Sequence, residues 1–204
     1  MIQEEFIDMI EIQPVVPEDI PEIMKLVSEC WKDYFADTSE ALLYAACGMI
    51  VRNNYLEPDL SFKAIENGKI AAIVFAGTAD SVSNPEKFYE DRLSVLEKGE
   101  GEWLKTQRAY HIKADTECKK LLDDTTFKLA LFMSTVKGSG RLLLDHLIGI
   151  LQEKGYKRMA LWTDTSCSYD YYPSHGFTQQ SSLKIPEYST PDEDYVLMTF
   201  TKEI

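Results

Sequence analysis

No stretch of this chain approaches the ~20 consecutive apolar residues that a membrane-spanning helix requires, so a membrane is not expected as its setting or its partner. Its first ten residues, MIQEEFIDMI, are acidic where a secretory signal would be basic, and the expected location is the cytoplasm. Cysteine is scarce. Cys30, Cys47, Cys118 and Cys167 lie far apart with no CxxC pair, which excludes a disulfide framework and a zinc site and suits reduced thiols. Histidine is scarcer still: His111, His146 and His175 are equally scattered, and no metal is implied. Basic clusters are missing as well. With 21 Lys and Arg against 34 Asp and Glu, the net charge of −13 leaves no footprint for tracking nucleic-acid phosphates. The same charge favours a cationic small molecule, or simply keeps the protein in solution. Linkers and internal repeats are absent, so residues 1–204 are expected to form one domain, long enough to bury a sizeable core.

What is present reads as alternating strands and helices. Residues 9–16 (MIEIQPVV) alternate and are β-rich. The next segment, 17–35, has Pro17 near a helix start and Ile20, Ile23, Leu26, Val27 and Trp31 at helical spacing. A second helix is expected over 39–52, capped by Thr38 or Ser39. Two strands follow, joined at Asn67-Gly68, the strongest short hairpin signal. Residues 80–124 are charged and helix-prone; they are expected to form a helical insertion of two segments, 88–96 and 102–122, separated by a break at Gly99-Glu100-Gly101. The run FKLALFMSTV (127–136) is apolar enough for a central strand buried on both faces. A glycine turn follows it, then a helix with Leu143, Leu147, Ile150 and Leu151 on one face. Gly155 stands where a left-handed helix terminator belongs, and KRMALWTD (157–164) reads as the next strand. The remainder is a short turn or helix (TSCSYDYYPSHGF) and two strands, 178–185 and 195–202, joined by a polar loop.

The glycine turn, VKGSGRLLL, is the first candidate for chemistry. A helix N-terminus presents unpartnered N–H groups and partial positive charge, so it attracts phosphate when side chains stand clear. Gly138 and Gly140 clear that approach, and Lys137 and Arg141 flank it. The plain alternative is a tight turn that merely needs glycine dihedrals. An ATP-binding loop would need GxxxxGK followed by Ser or Thr, and a dinucleotide site GxGxxG early in its domain. Here Gly140 is followed by Arg141, Leu142 and Leu143, late in the chain, and neither pattern fits.

The element order, together with Thr135-Val136-Lys137-Gly138-Ser139-Gly140 after the central strand and Tyr171-Tyr172-Pro173-Ser174-His175-Gly176-Phe177 about forty residues later, resembles the acetyl-CoA-dependent N-acetyltransferases of the GCN5-related superfamily. That family carries Gln/Arg-x-x-Gly-x-Gly/Ala at the first place and Phe-Tyr-x-x-x-Gly-Phe near the second. The resemblance covers 10–77 by element order and 127–202 by order and motifs; the insertion lies outside it. Thr135 departs from the family's Gln or Arg, and the turn is shorter than most. The implied fold class is mixed α/β, with a three-layer arrangement in which a central, mostly antiparallel sheet is flanked by helices.

The resemblance implies acetyl-CoA as acyl donor, no metal, and an amine-bearing small molecule as acceptor. It places the pyrophosphate of coenzyme A on Lys137, Gly138, Ser139, Gly140, Arg141 and Leu142, and the pantetheine arm along the backbone of Phe132, Met133 and Ser134. Tyr172 matches the general acid that protonates the departing thiolate. Asp164 and Asp170 are the substrate-side candidates, with Glu66 weaker; Asp164 can equally cap the next turn with Thr165 or Ser166. No base is assigned, since water can serve. Pro173 is expected to end the helix at Tyr172. Cys167 near the site suggests a covalent acyl intermediate, but no partner histidine accompanies it. His146 reads as structural, and Trp162, alternating with inward neighbours on its strand, reads as core. The insertion is placed to cover the acceptor side. The alternative function is a non-catalytic acyl-CoA sensor or protein-interaction domain of the same fold; a different α/β nucleotide binder is a third reading, and a homodimer is left open.

Overall fold

The computed structural model describes residues 10–204. The first strand, β1 (Glu11–Pro14), falls inside the expected stretch, whose Met9 lies outside the described residues. One turn of 3-10 helix leads into α1 (Ile20–Trp31), which buries Ile20, Ile23, Met24 and Val27. The helix stops at Trp31, short of the expected end, and the turns that follow bury Phe35 edge-on against Trp103. In α2 (Glu40–Asn54), Ser39 is the cap: its hydroxyl accepts the Leu42 N–H at 3.1 Å. The strands β2 (Ser61–Glu66) and β3 (Lys69–Gly77) form the expected hairpin, with Asn67 at φ 52° and Gly68 at φ 74°, the left-handed pair that a type I′ turn demands.

The insertion folds as α3 (Glu86–Leu93) and α4 (Lys98–Lys119). The expected break at residues 99–101 is not there. Both glycines lie in the first turn of α4, where the Glu100 carboxylate reaches back to accept the Glu97 N–H at 3.3 Å and helps offset the glycine cost, and the break falls at 94–97 instead. Next come β4 (Thr126–Ser134), which ends two residues earlier than expected, α5 (Ser139–Glu153), β5 (Arg158–Asp164), the one-turn α6 (Tyr171–Ser174), β6 (Thr178–Lys184) and β7 (Val196–Glu203). Gly155, at φ 91°, closes α5 as expected: its N–H reaches Gln152 O and the Tyr156 N–H reaches Leu151 O.

The seven strands form one sheet in the order β1-β2-β3-β4-β5-β7-β6, antiparallel throughout except for β4 beside β5. α5 covers one face through Leu143, Leu147 and Leu151 packed on Val74, Phe127, Leu129 and Phe200. α1 and α2 cover the other through Ile23, Val27 and Val51 packed on Ile73, Phe75, Leu131 and Met133. α4 packs against α2, β5 and β7.

One irregularity opens the sheet. Ala76 pairs with Leu129 and Phe75 with Leu131, so Ala130 is an extra residue, a bulge that bends β4. Side-chain parity flips there: Phe127 and Leu129 face α5, whereas Leu131 and Met133 face α1 and α2. Pairing of β4 with β5 stops just before the bulge, at Lys128 opposite Ala160, while β5 stays paired with β7 to Asp164. Beyond Lys128 the two parallel strands part, and a wedge opens between them.

Candidate active site

The glycine turn stands at the C-terminal end of β4. Gly138, at φ 93°, occupies the cap of α5 in a left-handed conformation that a side chain would strain. Gly140 serves close approach instead: a Cβ there would lie 2.8 Å from Ser134 Cβ and 3.1 Å from the Phe132 ring. Buried Ser139 ties the turn down, its hydroxyl 2.9 Å from Ser134 Oγ and donating to Val136 O at 2.8 Å. Within the turn the N–H groups of Ser139 and Leu142 are satisfied, by Val136 O and Gly138 O. Those of Lys137, Gly138, Gly140 and Arg141 have no backbone partner among the described residues, so four amides are free at a helix N-terminus. Lys137, Arg141 and Leu142 are exposed beside them, and Arg141 makes only a loose 3.6 Å pair with Asp145. Thr135 offers nothing to a ligand through its hydroxyl, which is directed to Ala71 O at 3.1 Å.

The wedge leads into a cavity of about 470 Å³. Phe132, Met133 and Ser134 form one side of it, and Asp164, Cys167 and Tyr172 another. The expectation that the helix ends at Tyr172 is corrected: Tyr172 lies within α6 with Pro173 after it. A proline in the first turn costs little, because its missing N–H would have had no partner. The Tyr172 ring stacks on Phe200 and meets Phe177 edge-on, at centroid separations of 5.5 and 5.3 Å. Burial, with smaller contributions from Cys167, Tyr171 and Asp164, raises its phenol above the ordinary range, so it stays protonated at neutral pH.

Asp164 ends β5, is 4% exposed, and faces the cavity. One oxygen accepts the Ser166 N–H (2.9 Å) and hydroxyl (2.5 Å); the other accepts the Tyr110 hydroxyl at 2.5 Å. Asp164 thus caps a turn with Ser166 and also belongs to the site. Its three donors are neutral, and no lysine or arginine pairs with it among the described residues. Asp170, in contrast, is exposed and off the cavity wall, and Glu66 sits at the β2–β3 hairpin.

Much of the rest of the wall is aromatic, and the insertion expected to cover the acceptor side supplies a large part of it, although none of its individual side chains was singled out by the sequence. α4 contributes Trp103, Gln107, Tyr110 and His111, the α1 region Trp31 and Tyr34, and the β6–β7 connection Tyr188 and Tyr195. Trp162 packs against the core cluster of Tyr110, Ala114, Ile185 and Leu197, as expected, and also lines the cavity, with its indole N–H given to Asp115 at 2.6 Å. Asp115 also takes Lys128 Nζ at 2.6 Å and Asn53 Nδ2 at 2.9 Å, which locks α4 to β4 and α2. His146 is exposed, edge-on to Phe62, and takes no part.

Two side chains in the cavity have pKa values that predict behaviour. Burial, opposed by Asp115 and Asp164, lowers His111 from 6.5 to about 4. Its unfolded counterpart therefore binds the extra proton between those values, and stability should rise with pH across that window and level off above it. Urea midpoints from pH 4 to 7 should climb more steeply for the wild type than for His111→Gln; equal slopes would refute the assignment. Cys167, pushed up to about 12 chiefly by burial, is a thiol at neutral pH and a poor nucleophile. Intact mass after incubation with acetyl-CoA is expected to show no acyl adduct on Cys167; trapping of such an adduct would restore the covalent route.

No protein-family model matches the sequence, and no curated protein does. Solved structures do match, over nearly the whole chain. An agmatine N-acetyltransferase is 14% identical, with 96% of this chain and 99% of that one covered at a TM-score of 0.57. The polyamine N-acetyltransferase of Drosophila melanogaster is 13% identical, covering 96% and 100%, at 0.54. The chain has the fold of the GCN5-related N-acetyltransferases. A third structure of this fold, the PaiA N-acetyltransferase from Thermoplasma acidophilum in complex with coenzyme A, is 14% identical, covering 96% and 99%, at 0.52. On this sheet β3 and β4 are antiparallel neighbours that a short turn could join, yet residues 78–125 intervene and carry α4 to the cavity wall.

Proposed function

We propose that the protein is an N-acyltransferase that moves an acetyl group from acetyl-CoA directly to a small, cationic amine. The observation that carries this reading is the wedge between β4 and β5: the unpaired end of β4, Phe132 to Ser134, lines a cavity holding Tyr172 and Asp164, and the chain then passes directly into the turn whose four amides are free among the described residues. Those amides, with Lys137 and Arg141 beside them, suit a pyrophosphate, and the part of β4 beyond Lys128 that has lost its β5 partner suits the amide groups of a pantetheine arm. The thioester supplies an activated carbonyl: the amine first gives up its ammonium proton to water, its neutral nitrogen bonds to the carbonyl carbon, the carbon–sulfur bond breaks with the electron pair leaving on the thiolate, and the acylated nitrogen sheds one further proton to water to give the amide.

The chain's own groups then have defined tasks. Tyr172, kept neutral by burial, holds a proton at its hydroxyl for the departing sulfur. Asp164, a buried carboxylate served only by neutral donors, lacks a counter-charge, and an alkylammonium would supply it. The aromatic wall keeps bulk water off the reacting centre and offers ring faces to a cation. That agmatine and polyamine acetyltransferases share the fold supports an acceptor of this charge. The test is thiol release from acetyl-CoA with and without a panel of small cationic amines. Release that depends on the amine supports the transferase. Binding of acetyl-CoA without release from any amine would instead favour an acyl-CoA sensor.

A further inference from the structure

The hydrogen bonds around Asp164 have directions that its own chemistry fixes. A carboxylate only accepts, so the Tyr110 hydroxyl, 2.5 Å from Oδ2, and the Ser166 N–H and hydroxyl, 2.9 and 2.5 Å from Oδ1, are all donors. Ser166 thereby spends its hydroxyl proton, and the Tyr195 hydroxyl, 3.2 Å from Ser166 Oγ, donates to it in turn. A carboxylate offers roughly four acceptor positions; with both of those on Oδ1 taken, the open one is on Oδ2, beside Tyr110. Among the described residues Tyr110 alone ties down the oxygen that still has room for a ligand. Packing does not account for its hydroxyl. The Tyr110 ring meets Trp162, Tyr188 and Tyr195 edge-on, contacts that a phenylalanine would make equally. Tyr188, in the same group, has a buried hydroxyl with no partner among the described residues, so ring contacts alone do not bring a phenol to a carboxylate. Burial above all, then Asp164 and Tyr195, push the Tyr110 phenol up, which keeps it a donor at neutral pH. Its helix is fastened independently, because Asp115, further along α4, takes Lys128, Asn53 and Trp162. Loss of the hydroxyl therefore leaves α4 in place.

Resting on the transferase reading, we infer that Tyr110, carried by the insertion, is a positioning residue: it holds Asp164 Oδ2 in place for the acceptor ammonium and acts only through that carboxylate. Ser166 restrains the other oxygen twice over, by N–H and by hydroxyl, so either tie there is backed by the second; the tie from α4 has no such reserve.

A double-mutant cycle between Tyr110 and Asp164 tests this, with thiol release driven by the best amine of the cationic panel and calorimetric binding of 1,4-diaminobutane at saturating coenzyme A as readouts. Tyr110→Phe should melt within a few degrees of the wild type and lower kcat/KM for the amine about tenfold, mainly through KM, while KM for acetyl-CoA stays within about twofold. In an Asp164→Ala background the same substitution should cost less than about twofold, because the group it positions is gone. Asp164→Asn, which keeps the shape and removes the charge, repeats the cycle in a background closer to the native fold. Ser166→Ala, which leaves the N–H on Oδ1, should cost less than about threefold. An equal loss from Tyr110→Phe with and without the carboxylate, or no loss at all, overturns the inference while the transferase reading stands. If no amine releases thiol, the transferase reading fails and the binding cycle decides: weakening by Tyr110→Phe only when Asp164 is present supports the positioning role, and equal weakening, or no binding of 1,4-diaminobutane, overturns it.

Discussion

Replacing Tyr172 with phenylalanine is expected to lower kcat for amine-dependent thiol release by roughly a hundredfold or more, with little change in KM for acetyl-CoA. The ring would stay where Phe177 and Phe200 hold it, and the lost hydroxyl has no hydrogen-bond partner among the described residues. The variant should therefore melt within a few degrees of the wild type, so a rate defect would report chemistry and not unfolding. A second readout isolates the proton. Thioesters of more acidic thiols need less protonation on leaving, and with them the gap between wild type and Tyr172→Phe should narrow. A Tyr172→Phe enzyme with wild-type kcat on acetyl-CoA would remove Tyr172 from the chemistry.

The second large effect concerns stability. Lys128 is a buried cation whose charge is met by Asp115 at 2.6 Å, and the same carboxylate anchors Trp162 and Asn53. Asp115→Ala strands that cation and two further donors. Breaking a buried pair costs about 3–5 kcal/mol, or roughly 6 to 20 °C of melting temperature for a chain of this size. Asp115 retains 28% side-chain exposure, which places the loss toward the lower end. Adding Lys128→Met should recover much of it, because the uncompensated charge then disappears. A melting temperature unchanged in Asp115→Ala would mean that α4 is not fastened to the sheet through this residue.

The parts of this molecule that are legible in its sequence are those written locally. Asn67-Gly68, Gly155 and the α5 stripe each satisfy a short-range rule, and the glycine turn and Tyr172 sit in motifs with recognisable spacing. The bulge at Ala130 has no such signature: nothing in FKLALFMS marks where β4 bends, so the wedge emerges only from the pairing. The acceptor wall is equally hidden, since Tyr110 meets Asp164 across 54 residues of chain. A faint signal was there. Gln107, His111 and Asp115 recur every fourth residue on a helix that also buries Leu104 and Ala114, a polar row on a face that packs inward. The boundary errors have local causes as well. The Glu97–Glu100 cap outweighs two glycines at the start of α4, and Pro173 sits early enough in α6 to be harmless.

In the proposed transferase the glycine turn and the unpaired part of β4 together receive coenzyme A. Amide hydrogen exchange with and without saturating coenzyme A tests it most directly. Exchange should slow in two separate segments, residues 130–134 of β4 and 137–141 at the start of α5, with the outer strand β6 unaffected. Protection confined to other segments, or none at saturation, would contradict it.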